Sequence, residues 1–317
     1  METGPLRLTP LYMDRVWGGR RLESIYGRAL PAAGMPYGES WEVVDREEAQ
    51  SVVASGPFAG RSLNDLWITE RETVFGRGLP DSPRFPLLVK ILDARERLSI
   101  QVHPPKGIAE ELGGEPKSEM WYIAAADPGA ELYVGLRPGV GHREFALGIA
   151  EGTTEELVHR IPVQAGEHIA IPSGRLHAIG AGLLIFEIQQ NSDTTYRVFD
   201  WNRVGLDGKP RQLHVAESLR CIDFSDIEPK MDRAKGEVLA EGAHFRVEKW
   251  ELEGTGRRPA ENGEFSIMGV VAGTLRCGME RFVAGDFFLV PAGLDRAETT
   301  LVAEGKATVL RTTLPQV

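Results

Sequence analysis

Short alternating or wholly apolar runs, each closed by glycine or proline, recur along the chain, and this rhythm predicts strands far more often than helices. The strands expected in the first two thirds are Leu87–Leu92, Leu98–His103, Met120–Ala124, Leu132–Val134, His168–Ile171, Leu183–Gln189 and Thr195–Trp201. Later come Phe245–Glu251, Phe265–Val271, Asp286–Val290 and Lys306–Thr312. Helical stretches are few. Arg143–Glu151 and Thr154–Arg160 are rich in Glu, Ala and Leu, with Thr153 or Thr154 placed to cap the second. His214–Cys221 carries Val215, Leu219 and Cys221 on one side. The pattern predicts a mainly β protein with a few short helices.

Two phrases repeat. Residues 163–174 and 282–293 each run through a Gly-acid turn, an apolar strand and a Pro-small-Gly turn. This predicts two related β-barrel units. The first phrase leads to His177, the second to Leu294, Asp295 and Arg296, so no metal site is expected in the second unit. The composition turns polar and charged from Pro229 to Gly236, which suggests a linker. The division expected is 1–228, carrying the chemistry and the helices, and 229–317, a smaller β unit.

One predicted strand carries an unusual stripe. In Leu98–His103 the apolar Leu98, Ile100 and Val102 alternate with Ser99, Gln101 and His103, so the three polar groups share a face. Pro104 and Pro105 then end the strand, because neither donates a ladder hydrogen bond. Such a stripe also suits a solvated face, and partners elsewhere have to decide. Glu119 stands at the entrance of the strand that begins at Met120, and His177 follows the tight turn of Pro172–Gly174. Two imidazoles, a carboxylate and an amide suit Zn²⁺ or another first-row divalent ion, with positions left for water or substrate. The same residues also read as unrelated histidines and a solvated charge. The polar run Gln189–Arg197 would be costly inside a β core without partners, but suits a solvated turn or the lining of a polyol site. Arg197 and Asp193 are its natural charged pair.

Composition narrows the class. The 317 residues, 42% hydrophobic and 26% charged, are those of an ordinary globular protein. A net charge of −10 without a Lys/Arg-rich run argues against nucleic acid. No apolar run approaches the roughly 20 residues that span a bilayer, so no membrane partner is expected. Met1–Pro5 has neither a basic region nor an apolar segment, so no signal peptide is expected. Cys221 and Cys277 lie far apart, outside any CxxC pair, and read as buried thiols in a reducing, cytoplasmic compartment. The sequence carries no signal for an oligomeric state.

Together these phrases identify a family. Trp17-Gly18-Gly19, Gly38–Glu42, Leu98–Pro104, Lys117–Ile123, Ile171–Gly180 and Gln189–Arg197 stand in the order found in type I mannose-6-phosphate isomerases (phosphomannose isomerases), and the chain resembles the short bacterial form. They span most of the first ~205 residues in sequence order. The resemblance implies two cupin-type (jelly-roll) β-barrels and a metal, usually zinc, held by residues matching Gln101, His103, Glu119 and His177. It implies interconversion of mannose 6-phosphate and fructose 6-phosphate, with Arg197, Lys117, Lys90 and Asp193 in the active site and Ser99 near the substrate's phosphate. The C-terminal part matches more loosely.

Residue chemistry agrees with that reaction. Moving a proton between C1 and C2 through an enediol needs polarised sugar oxygens, a base and a hold on the open-chain sugar. Lys90 and Lys117 suit phosphate binding or the tuning of a neighbouring carboxyl; Arg197 offers a planar fork to phosphate or enediolate oxygens. The base is left open between Glu187, Asp193 and metal-bound water. Lys90 lies within the apolar run Pro86–Leu92, where a lysine needs a partner. Trp17, Trp41 and Trp121 read as core rather than as sugar platforms, and His142, His159, His214 and His244 as structural or exposed. His168, after its Gly-Glu turn, reads as packing in preference to a further ligand. A non-catalytic sugar-phosphate-binding bicupin with a structural metal is the alternative, but it has no need of Lys117, Glu119, Asp193 and Arg197 together. An iron-dependent cupin oxygenase is disfavoured because such sites rely on a close His-x-His pair, which Gln101-Val102-His103 lacks.

Overall fold

A computed structural model describes residues 4–259, 263–293 and 299–315. Met1–Thr3, in the segment read for a signal peptide, and Leu294–Arg296, which follow the second repeat, lie outside the described residues. The strands are β1 (Leu6–Arg7), β2 (Leu11–Gly19), β3 (Tyr37–Val43), β4 (Leu87–Ala94), β5 (Ile100–Val102) and β6 (Glu119–Ala126). There follow β7 (Glu131–Leu136), β8 (Val158–Pro162), β9 (His168–Ile171), β10 (His177–Ile179), β11 (Leu183–Gln190) and β12 (Tyr196–Phe199). The last six are β13 (Val238–Glu241), β14 (Arg246–Glu253), β15 (Ser266–Cys277), β16 (Glu280–Val283), β17 (Phe287–Val290) and β18 (Leu301–Thr313). The protein is mainly β, and its sheets are antiparallel.

The chain forms two compact units, one of residues 12–40 and 89–232, the other of residues 1–11, 41–88 and 233–317. Residues 1–11 and 41–88, grouped from sequence with the candidate site, fall in the unit of residues 233–317. Long-range contacts decide this. Leu6 and Arg7 pair with Leu289 and Phe288, and Phe75 and Phe85 pack against Phe265 with ring centroids 5.3 and 5.8 Å apart. That unit holds a sheet ordered β1–β17–β15–β18–β14–β13, with β16 on β15. Its core includes Met268, Val270, Phe282, Phe288 and Val309.

In the unit of residues 12–40 and 89–232, a sheet ordered β12–β5–β10–β7–β8 faces strands of the sheet β2–β3–β4–β11–β6–β9. Between them lie Trp17, Leu92, Trp121, Ile123, Leu132, Val134, Ile179 and Ile185. The outer face of the five-stranded sheet packs Ile100, Val102, Tyr133 and Ala178 against Phe145 and Cys221, which come from the helices His142–Glu151 and Val215–Cys221. This resolves the stripe in residues 98–103. Ile100 and Val102 face the helices, so Gln101 faces the inside of the sandwich. Leu98 breaks the alternation by joining the inner core.

The helix expected over 154–160 stops at Leu157, because Val158–Pro162 pairs with β7. Thr153 stands at its N-cap, but its side chain makes no capping bond. The repeated phrases fold alike. Gly166 and Gly285 both sit in the left-handed region (φ 94° and 89°). Glu167 accepts from the Gln164 N–H, and Asp286 from the Val283 N–H. Both phrases end beside the same kind of partner strand, with Ile171 opposite Glu119 and Val290 opposite Ser266. Where the first unit presents a carboxylate, the second presents a buried hydroxyl bonded to the Pro259 carbonyl.

Two glycine motifs prove to be one contact. A Cβ on Gly18 would lie 2.4 Å from the Gly38 nitrogen, and one on Gly38 would lie 2.6 Å from both Arg15 Cβ and the Trp17 ring. Gly38→Ala should therefore destabilise the protein by about 2 kcal/mol, since neither backbone nor indole has room to yield. A lower denaturant midpoint at constant m is the expected result; an unchanged midpoint would show that the β2–β3 crossing is looser than this.

Candidate active site

The rows of side chains that fill the sandwich change from apolar to polar toward one end. With a period of two, Trp17 on β2 is followed inward by Arg15, Leu92 on β4 by Lys90, and Ile179 on β10 by His177. On β6 the row runs Ile123, Trp121, Glu119, and on β11 it runs Ile185, Glu187, Gln189. Register fixes their neighbours. Glu187 lies opposite Trp121, Gln189 opposite Glu119, and both His177 and Arg197 opposite Gln101. A cavity of about 570 Å³ opens on this end. Ser99, Gln101, Lys90, Lys117, His177, Glu187, Asp193 and Arg197 all line it, while His103 and Glu119 lie buried beside it.

His103, Glu119 and His177 bring one ligand atom each to within 4.8 Å of the others. The His103 Nδ1 faces the Thr194 carbonyl and the His177 Nδ1 the Arg175 carbonyl, each at 2.9 Å. A carbonyl only accepts, so each Nδ1 carries the hydrogen and each Nε2 turns its lone pair inward. Both Nε2 atoms stand close to Glu119, at 3.5 and 3.6 Å. Lys117 Nζ is 2.8 Å from Glu119 Oε2 and 3.2 Å from His103 Nε2. The Lys117 ammonium thus pairs with the Glu119 carboxylate through Oε2, while the buried Oε1 receives no hydrogen bond among the described residues. Two inward imidazole lone pairs and a carboxylate with one oxygen unsatisfied form a donor set that suits a divalent cation. Gln101 places Nε2 3.3 Å from His177 Nε2 and accepts from the Ser99 hydroxyl through Oε1. Rotation of the amide by half a turn would offer oxygen instead.

Electrostatics sharpen these roles. Burial, then the neighbouring His103, pushes His177 down to about 3, and burial with Lys117 lowers His103, so both imidazoles are neutral. Burial opposes the Glu119 charge, but the Lys117 ammonium outweighs it and holds the carboxyl well below its usual range. Burial also opposes the Lys117 ammonium, yet Glu119 and Glu187 hold it above the ordinary lysine range. Glu187 goes the other way, raised by burial and then by Glu119. It accepts from the Trp121 indole at 2.9 Å and faces Lys90 at 3.5 Å. Lys90 also faces Glu39 at 3.7 Å, which in turn accepts from Arg15. The lysine in an apolar strand thus has its partners.

The expected Arg197–Asp193 pair does not form. Arg197 donates through Nε to Ser99 and through Nη1 to the Gln212 carbonyl, because strand pairing with β5 turns it toward Ser99. Asp193 acts electrostatically on Arg15 and Lys117. His214, expected to be structural or exposed, lines the cavity, and its Nδ1 accepts the Arg197 N–H. Trp17 and Trp121 are core, as expected, but both also line the cavity. His168 is buried outside the triad. Glu39, Arg15 and Arg211 were missed. Arg15 was within reach, two residues before the inward Trp17, whereas Arg211 lies in a loop with no period to follow.

Comparison with known proteins gives a consistent result. Residues 6–129 match the model of the phosphomannose isomerase type I catalytic domain. Mannose-6-phosphate isomerase ManA of Bacillus subtilis is 36% identical over 307 residues, covering 93% of this chain and 95% of ManA. A mannose-6-phosphate isomerase of Streptococcus mutans is 36% identical over 298 residues, covering 90% and 92%. The crystal structure of the Bacillus subtilis mannose 6-phosphate isomerase superposes with a TM-score of 0.86 at 33% identity, covering 98% of this chain and all of that one. This assigns the cupin fold. Relatives matched along nine tenths of both chains leave one conclusion: the chain belongs to the type I mannose-6-phosphate isomerase family.

Proposed function

We propose that the protein interconverts mannose 6-phosphate and fructose 6-phosphate, with zinc as its metal and Gln101, His103, Glu119 and His177 as the ligands. The observation that carries this is the buried triad beside a raised carboxyl, Glu187, in one cavity. The bound metal supplies a Lewis acid that polarises a sugar oxygen. Glu187, in its ionised form, removes the C2 proton of the open-chain aldose. The C–H electrons form the C1–C2 double bond, the C1 carbonyl electrons pass to O1, and O1 takes a proton from solvent, giving the enediol. O2 then gives its proton to solvent, the O–H electrons close the C2 carbonyl, and the double-bond electrons take the proton back from Glu187 at C1. Lys117 and Arg197 face the oxygens on which charge develops, and Ser99 and Arg197 suit the phosphate. Lys90 holds Glu187, and Asp193 bears on the cation Lys117 from the cavity side.

The unit of residues 12–40 and 89–232 carries this chemistry, and residues 233–317 fall in a second cupin-type barrel without a metal site; the hydroxyl of Ser266 at the register position of Glu119 supports that assignment. We place the protein in the cytoplasm, which suits two buried cysteines whose thiols burial pushes up to about 11 and about 12. Among the described residues no helix is long and apolar enough to cross a membrane.

The test is a coupled assay for fructose 6-phosphate formed from mannose 6-phosphate by zinc-loaded protein. Chelation should abolish turnover, and zinc should restore it. Absence of turnover from protein with zinc bound would sink the isomerase assignment.

A further inference from the structure

Trp121 touches both halves of the site. Cross-strand register sets it opposite Glu187, and its indole Nε1 donates to Glu187 Oε2 at 2.9 Å. Its ring meets the His177 imidazole edge-on, 5.3 Å between centroids at 81°. The indole is 1% exposed, and a tryptophan buried so deeply needs a partner for its N–H. Glu187 needs the bond as much. Its other neighbour, the Lys90 ammonium, is 3.5 Å away, beyond good hydrogen-bonding distance. The indole N–H is the one hydrogen bond that Glu187 receives among the described residues.

A carboxylate rotates readily about its last bond, and a charge attraction from one side does not stop it. A single directional donor does. We propose that Trp121 is a positioning residue, whose indole N–H fixes the plane of the Glu187 carboxylate and leaves Oε1 to carry the proton between C1 and C2. This rests on Glu187 acting as the base proposed above. The role needs the nitrogen and not only the ring, which separates it from packing.

Trp121→Phe keeps an aromatic ring beside His177 and removes the donor. The zinc-loaded variant should retain its metal and its KM for mannose 6-phosphate, while kcat falls by about ten- to a hundredfold, the usual range for one hydrogen bond to a charged group. The same change made in Glu187→Gln protein should add no further loss, because the amide is no base and its orientation no longer matters to the proton transfer. An undiminished kcat would overturn the proposal. So would an equal loss in both backgrounds, the sign of a general packing role, or a loss of zinc, the sign of action through His177. Zinc-loaded wild-type protein without turnover would instead remove the isomerase assignment, and this proposal with it.

Discussion

His177→Ala should strip the metal and take turnover with it. The imidazole is wholly buried, its Nδ1 fixed by the Arg175 carbonyl and its Nε2 aimed at Glu119. Losing a second-sphere partner of a metal ligand typically costs ten- to a hundredfold in affinity. Losing the ligand itself should cost more than about a hundredfold, and the rate should follow the metal. A cavity beside Trp121 and His103 adds a packing cost of about 2 kcal/mol or more. The unit containing residues 233–317 draws on none of these residues and should stay folded. Metal content per chain is the deciding measurement, with the denaturant transition alongside. Zinc bound at one equivalent with unaltered affinity would show that the ligand set is wrong.

The position of His177 shows how much of this site the sequence carried. Each of the phrases 98–104, 117–123 and 171–180 contains strand residues of its own, so local pattern was enough to put a polar group on or beside a strand. Which face was inward depended on what covered the other side. Ile100 and Val102 meet Phe145 and Cys221 from helices far along the chain, and no local period reveals that. The failures have the same origin. Glu155, Glu156 and Leu157 favour helix, but Val158 favours a strand, and the pairing of Val158–Pro162 with β7 ends the helix there. Asp193 and Arg197, four apart in a polar run, were matched by charge alone; strand register turned Arg197 to Ser99 instead. Residues 41–88 follow their aromatic side chains to Phe265. Long-range pairing decides unit membership, and sequence order does not.

Arg197→Ala should leave the metal in place and remove most of the rate. The guanidinium is tied down by Ser99 through Nε and by the Gln212 carbonyl through Nη1, so its remaining donors are fixed in direction. Burial lowers its pKa, and the nearby guanidinium of Arg211 adds to this, with Arg203 and Arg15 acting in the same sense. Asp200 opposes them, and its carboxylate is already held by Arg203 and Arg211. Positive charge is therefore concentrated without full compensation at a cavity wall, which favours a phosphate or an enediolate oxygen brought there. Removal of one such preoriented donor costs about 10²- to 10³-fold in kcat where it serves the reacting oxygens. If it serves only the phosphate, the loss falls on KM and shrinks as ionic strength rises. Arg197→Lys should recover a minor part, since an ammonium keeps the charge but cannot hold Ser99 and Gln212 while also reaching the substrate. Steady-state kinetics of both variants at matched zinc content decide between these, and a near-normal rate for the alanine variant would take Arg197 out of the reaction.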